Sequence, residues 1–547
     1  MKKKTGMVLL AVLLGFMIVL PIISVFARTV ISEDGRFDIA NAATVLSDPA
    51  NAKTILNSLW LALLVSIVST LISTPLAFIL TRTKLARMKW LDIVLMIPFM
   101  TPPYISAMGW ILFMQKRGLF QQLFPWTESW SEGFFSLAGL VMVMSFHSFP
   151  FMTGMIKNAI LNLGSAMEES AAICGEKPIG IFRKVTMPLL TGNYAIALML
   201  VFVKTLSEYG TPATLGSRIG FYVFTTNIHR YASVAPIDFG KASALSSVLV
   251  IICFAIWRLQ DYITRTHTYS LVQAKRTLPI SQKRIVTVLG TVYSSVLILI
   301  SIVVPYFSII ATSLIDKRGY GLAKGNFTLA HYGELFGSES AKGLRAIGTS
   351  LSLAAAAATI ASLIGMAVAM HMRKKGKLSQ IIGAEALLPE MIPNIVFAIG
   401  MMILWNRIYA AVPLYNTRGF MVLVYVVMFL PYAVQYTTSA LIQIGDHLSE
   451  AGRISGGSES YVFWRIQFPL MFPGVVTGWM MIFIISFREL VASSLTSPPN
   501  VLTVSTFITH EFEQGSVSVG MCMAAMCVLI TTASLIAINQ LAARKWK

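Results

Sequence analysis

Four glutamates stand in or beside long apolar stretches, where a carboxylate is costly and marks a candidate site: Glu208, Glu385, Glu390 and Glu489. Glu208 and Glu489 lie 281 positions apart, and so do the parts of two polar loops. The first loop runs Gly164-Ser165-Ala166-Met167-Glu168-Glu169-Ser170-Ala171 to Gly175 and on to Pro188. The second runs Gly445-Asp446-His447-Leu448-Ser449-Glu450-Ala451-Gly452 to Gly456 and on to Pro469. Ser165 and Asp446 suit a helix N-cap, because their side-chain oxygens can accept from exposed amides of the first turn. Glu168, three residues after Ser165, completes a capping box. Gly175 and Gly456 suit a left-handed helix stop. Between cap and stop fits a helix too short to hold by itself in water, so it needs a partner surface. This is the chemistry of docking.

Bond-making chemistry finds no support. No Gly-x-x-x-x-Gly-Lys-Ser/Thr phosphate loop occurs; Gly240-Lys241 and Gly376-Lys377 are followed by neither Ser nor Thr. His-Glu-x-x-His, Gly-x-Ser-x-Gly and Cys/His metal spacings are likewise missing. The four cysteines, Cys174, Cys253, Cys522 and Cys527, show no CxxC pair and read as small buried hydrophobes. The expectation is no catalysis, no cofactor and no stably bound metal in this chain. The four glutamates have two readings. Either they line a solute path and meet a cation such as Fe³⁺ through oxygen, or they pair with Arg488 and with amides freed beside Pro389 and Pro393. His147 reads as packing.

The elements that must position these groups are membrane helices. Of 547 residues 56% are hydrophobic and 12% charged, about half the charge of a soluble domain. Many apolar runs reach the roughly 20 residues needed to cross the hydrocarbon, and in lipid such runs must be helical. Twelve spans are expected, starting near Met7, Asn57, Leu91, Ser136, Thr191, Lys241, Val286, Ile347, Ser379, Gly419, Gly474 and Ser518. Lys and Arg collect in alternate loops (Arg82 to Lys89, Lys177 to Lys184, Lys275 to Arg284, Arg373 to Lys377), which places those loops and both termini in the cytoplasm. The net charge of +19 is therefore topology, with some attraction to membrane lipid, and nucleic-acid binding is excluded. Stretches 28–56, 210–240, 316–345 and 496–517 should face outward. Val25-Phe26-Ala27 is a passable signal cleavage site, but the segment ending Val19-Leu20-Pro21 recurs as Val303-Val304-Pro305. An internal copy cannot be a signal peptide, so the first helix is expected to stay.

The chain is two copies of one unit. Pro98 and Pro102 match Pro389 and Pro393, and Phe149-Pro150-Phe151 matches Leu430-Pro431-Tyr432. The expected boundaries are 1–263 for the first half, 264–285 for a cytoplasmic linker and 286–547 for the second half. Six spans per half is even, so the halves share one orientation: an all-α polytopic membrane protein of two parallel six-helix repeats, with a solute path along the seam. The proline pairs should kink the third and ninth spans.

The paired loops resemble the EAA motif of ABC importer permeases: Glu-Ala-Ala, three residues, Gly, nine residues, Ile, one residue, Leu-Pro. Departures are Ser170 and Gly452 for Ala, Val185 for Ile, and Met187 and Phe468 for Leu. The resemblance implies that both short helices couple to an ATPase through Glu169, Ser170, Ala171, Gly175, Pro188, Glu450, Ala451, Gly452, Gly456 and Pro469. It also implies a bacterial inner-membrane location, two copies of a nucleotide-binding ATPase subunit that handle ATP and Mg²⁺, and an extracytoplasmic solute-binding protein. Leu206-Ser207-Glu208-Tyr209-Gly210-Thr211-Pro212 and Phe487-Arg488-Glu489-Leu490 are similar to the ferric-iron permease type. Relatives for thiamine, polyamine, phosphonate or sulfate share the architecture. A twelve-helix secondary transporter is the alternative machine, and it would lack the paired loops.

Overall fold

A computed structural model describes residues 2–31, 35–37, 39–163, 166–267, 284–337, 342–373, 376–444 and 446–544. Among them the structure is helical, without a β-sheet. Ten helices are long and apolar enough to cross a membrane: Thr5–Val30, Pro49–Arg82, Leu137–Leu163, Ile179–Ser207, Phe239–Thr264, Arg284–Leu314, Lys342–Met372, Arg418–Gln443, Glu459–Phe487 and Val517–Ser534. The third and ninth spans are bent pairs, Lys89–Met100 with Pro103–Met114 and Lys377–Met391 with Asn394–Arg407, turned through 89° and 113°. A kink was expected there and a full break is found. Pro102 and Pro393 sit extended ahead of the second arm, a conformation that a proline ring favours and that no helix can contain. The second span begins at Pro49, eight residues before the expected Asn57. Asp48 caps it, accepting from the Ala50 amide at 2.9 Å, and Pro49 occupies the first turn. All four stretches expected outside are also partly helical, over Ile39–Ser47, Phe224–Ser233, Ala330–Phe336 and Val504–Glu513. Residues 268–283, most of the expected linker, lie outside the described residues.

The halves exchange their outer spans. One core joins the second to fifth spans with the seventh and twelfth. The other joins the eighth to eleventh with the first and sixth. The first span packs on Asn394–Arg407 of the second half, and the seventh packs on Pro103–Met114 of the first half. Both contacts are made at a glycine: a Cβ on Gly109 would sit 2.6 Å from the Pro305 carbonyl oxygen, and one on Gly400 would sit 2.5 Å from that of Pro21. The sequence repeat at Pro21 and Pro305 is thus the point where each half grips the other.

Both prolines follow a π-helical turn, Gly15–Val19 and Leu299–Val303. The same turn precedes Pro188 and Pro469, over Phe182–Thr186 and Phe463–Gln467. Proline has no amide hydrogen for the helical ladder and its ring crowds the carbonyl four residues back, so the wider turn relieves the clash.

Candidate functional site

Two sets of residues remain: the paired short helices and the four glutamates. The short helices form where the loops predicted them, over Ala166–Ile173 and Asp446–Ile454. Gly175 and Gly456 both have φ +85°. The Gly175 amide donates to the Ala172 carbonyl and Glu176 to Ala171; Gly456 donates to Arg453 and Gly457 to Gly452, all at 3.0–3.1 Å. This pair of bonds is the Schellman stop, and it needs the left-handed residue that glycine supplies without strain. Ser165 lies outside the described residues, as does the Asp446 side chain, so the predicted N-caps do too.

Each helix is tied to the turn ahead of the next span. Glu168 forms an ion pair with Arg82 at 2.7 Å and accepts from the Thr186 hydroxyl at 2.7 Å. In the second half Gln467 donates to the Ser449 hydroxyl at 3.0 Å, and these two residues are the repeat partners of Thr186 and Glu168. Arg82, at the end of the second span, draws the Glu168 carboxylate inward. Glu169, Ser170 and Ala451 lie on the outward side of these helices, Glu450 is exposed near His447, and Ala171 and Gly452 are half-buried. Gly452 packs against the Ile466 and Val462 side chains. Pro188 and Pro469 open the spans that follow.

Sequence reasoning missed the apolar side chains of these helices. Ile173 and Ile454 are each 87% exposed, and Met167 and Leu448 are exposed as well. All four fall at matched repeat positions inside polar loops, a signal present in the sequence. Apolar side chains held out on matched helices mark a protein contact surface.

The glutamates do not act as one group. Glu208 ends the fifth span, and its carboxylate accepts from the Thr211 amide at 3.1 Å. Glu489 repeats this, accepting from Ala492 at 3.2 Å, and is buried. Around each, the same scaffold recurs. Ser58 accepts from the Phe224 amide at 2.7 Å and Ser350 from Val504 at 2.8 Å, while the Val223 and Thr503 amides donate to Thr226 and Thr506, both at 2.9 Å. Glu390 is exposed and accepts a hydrogen bond from Gln435. Glu385 lies against Gly15 of the first span. Arg488 does not take a glutamate within ion-pair distance among the described residues; it donates to the Met100 carbonyl, freed at the break of the third span. His147 is near the same break, 2.9 Å from the Pro98 carbonyl and stacked with Phe99. A cavity of about 130 Å³ lies here, lined by Phe99, His147, Phe151, Lys204, Glu208 and Thr211 among others. No group of three or more His, Cys, Asp or Glu able to hold a metal occurs among the described residues.

Comparison with known proteins gives a consistent set of matches. The family described as binding-protein-dependent transport system inner membrane component matches twice, over residues 73–268 and 361–547. A ferric transport system permease protein of Actinobacillus pleuropneumoniae is 24% identical over 95% of this chain and 75% of its own length. An Fe(3+)-transport system permease protein of Haemophilus influenzae is 23% identical over 96% of both chains. A spermidine/putrescine transport system permease protein of Haemophilus influenzae is 28% identical over 43% of this chain and 90% of its own.

Proposed function

The chain belongs to the binding-protein-dependent transport system inner membrane components, the permeases of ATP-binding-cassette importers and not enzymes, and we propose that the solute it moves is ferric iron. Support comes from similarity along 95% and 96% of this chain to permeases named for ferric transport, where the polyamine and sulfate permeases align over less than half of the chain. The proposed boundaries are two permease halves, 1–263 and 286–547, joined by a linker with both termini in the cytoplasm. ATP and Mg²⁺ belong to two copies of a partner ATPase, and an extracytoplasmic binding protein hands over the solute.

The observation that carries the coupling role is the matched pair of exposed isoleucines, Ile173 and Ile454, on helices stopped by left-handed glycines. Each ATPase subunit grips one helix, with Glu169 or Glu450 adding polar contacts. ATP draws the two subunits together and the helices follow. Because Glu168–Arg82 and Ser449–Gln467 tie the helices to the spans, the push reaches the seam as rigid-body rocking. A secondary transporter would need neither helix. Co-purification of the ATPase with the chain tests this. It should be lost when Ile173 and Ile454 are both changed to Ser, or Glu169 and Glu450 both to Ala; an ATPase that stays bound in both variants refutes the coupling role. Within this reading Glu208, Glu489, Glu385 and Glu390 are the acids of the solute path. Uptake of labelled iron unchanged by Glu208→Gln with Glu489→Gln would remove the first two from it.

A further inference from the structure

Around the cavity beside the break of the third span the charge that is free to act is positive. Lys204 belongs to the apolar fifth span, yet its side chain is exposed, because it opens into the space between helices. Its ammonium rests over the rings of Phe151 and Phe99, 4.7 and 5.4 Å from their centres. No carboxylate comes within ion-pair distance of it among the described residues. Glu208 lines the same cavity but takes the Thr211 amide hydrogen. Glu489 is buried on the Ala492 amide, and Glu390 accepts from Gln435. Arg488 adds a second cation beside the break. The repeat does not require either one: the partner of Lys204 is Ile485, and the partner of Arg488 is Ser207.

Aromatic faces hold an ammonium by their quadrupole, a weaker hold than a carboxylate gives. An ammonium so held can be surrendered to an incoming oxyanion in a charge-assisted hydrogen bond. A bare Fe³⁺ ion or a polyamine would meet like charge there. We infer that Lys204 is a specificity-determining residue of the path, and that the solute passes this point as an anion carrying oxygen ligands, either an oxyanion itself or iron(III) held in an anionic oxygen-ligand complex. This rests on the transport reading above and narrows its substrate class.

The test uses the complete importer, with its ATPase and binding protein, in proteoliposomes. The probes are labelled iron presented as ferric citrate with excess citrate, labelled sulfate and labelled spermidine. Lys204→Gln and Lys204→Glu should each lower uptake of the anionic probe that the unaltered importer accepts by about tenfold or more, with the ATPase still co-purifying. Lys204→Arg should stay within about threefold, since it keeps the charge. Ferric citrate and sulfate arms separate the two anion sources. Import of sulfate and not of ferric citrate, with the same Lys204 dependence, removes iron and keeps the anion. Import of ferric citrate that Lys204→Glu leaves unchanged keeps iron and overturns the role of Lys204. Rescue of Lys204→Glu by Glu390→Lys would make the lysine a latch across the seam and overturn it too, as would import of spermidine by the unaltered importer.

Discussion

The stops of the two short helices offer a perturbation whose size can be worked out in advance. Gly175 and Gly456 have φ +85°, where an L-residue with a Cβ is strained by about 1–2 kcal/mol. Nothing else lies within 4 Å of a Cβ built at either position, so an alanine there brings backbone strain and no steric clash. Changing one glycine to Ala should weaken docking of the ATPase by about 5- to 30-fold, and changing both should weaken it by up to about three orders of magnitude. Asparagine tolerates the left-handed region, so the Gly→Asn variants should lose less than half the free energy that the Ala variants lose. Binding of purified ATPase to the chain in lipid nanodiscs, measured as an equilibrium titration, reads both series. The reasoning fails if the double Ala variant binds within twofold of the unaltered chain, or if Asn costs as much as Ala.

Three more perturbations probe the scaffold. Gly109→Val and Gly400→Val push a side chain onto the Pro305 and Pro21 carbonyls of the opposite half; each should cost about 1–3 kcal/mol and lower the thermal midpoint in detergent. Ser58→Ala and Ser350→Ala strip the acceptors of the buried Phe224 and Val504 amides, a cost of about 1–3 kcal/mol each; the two should destabilise by similar amounts in the same melt. Arg82→Ala leaves the mostly buried Glu168 carboxylate with Thr186 alone among the partners seen here, at about 1–3 kcal/mol. Faster proteolytic cleavage in the loop 164–177 should report it, and Glu168→Gln should be milder because no charge is stranded.

What could be read in the sequence is what depends on local chemistry or on counting. Apolar length and the alternation of basic loops gave the spans, and the 281-residue spacing gave the repeat and the Gly175 and Gly456 stops. Two features escaped for physical reasons. Pro102 and Pro393 break their helices, because a proline that starts a new arm and one that kinks a continuous helix look alike in sequence. The exchange of outer spans between halves is a long-range choice, made where Gly109 and Gly400 admit Pro305 and Pro21, and no local preference encodes the partner.

Symmetry in this chain follows the division of labour. Parts that must move together are duplicated down to single hydrogen bonds: the Schellman stops, the glutamate acceptors of Thr211 and Ala492, the serines under Phe224 and Val504, and the π-turns before four prolines. Rocking two halves about a pseudo-two-fold axis needs this, because unequal hinges would convert one push into a twist. Three residues around the cavity are not duplicated: His147 has Met428 as its partner, Lys204 has Ile485, and Arg488 has Ser207. A solute crossing the seam meets both halves at once, and one off-axis set of contacts suffices to hold it. Duplicating Lys204 would instead set a second ammonium facing the first half, where like charges repel. Ile485→Lys is the direct test. It should leave ATPase docking unchanged, since it lies far from the short helices in the span, and should slow transport through the seam; transport at the unaltered rate would show that the broken symmetry at this position carries no function.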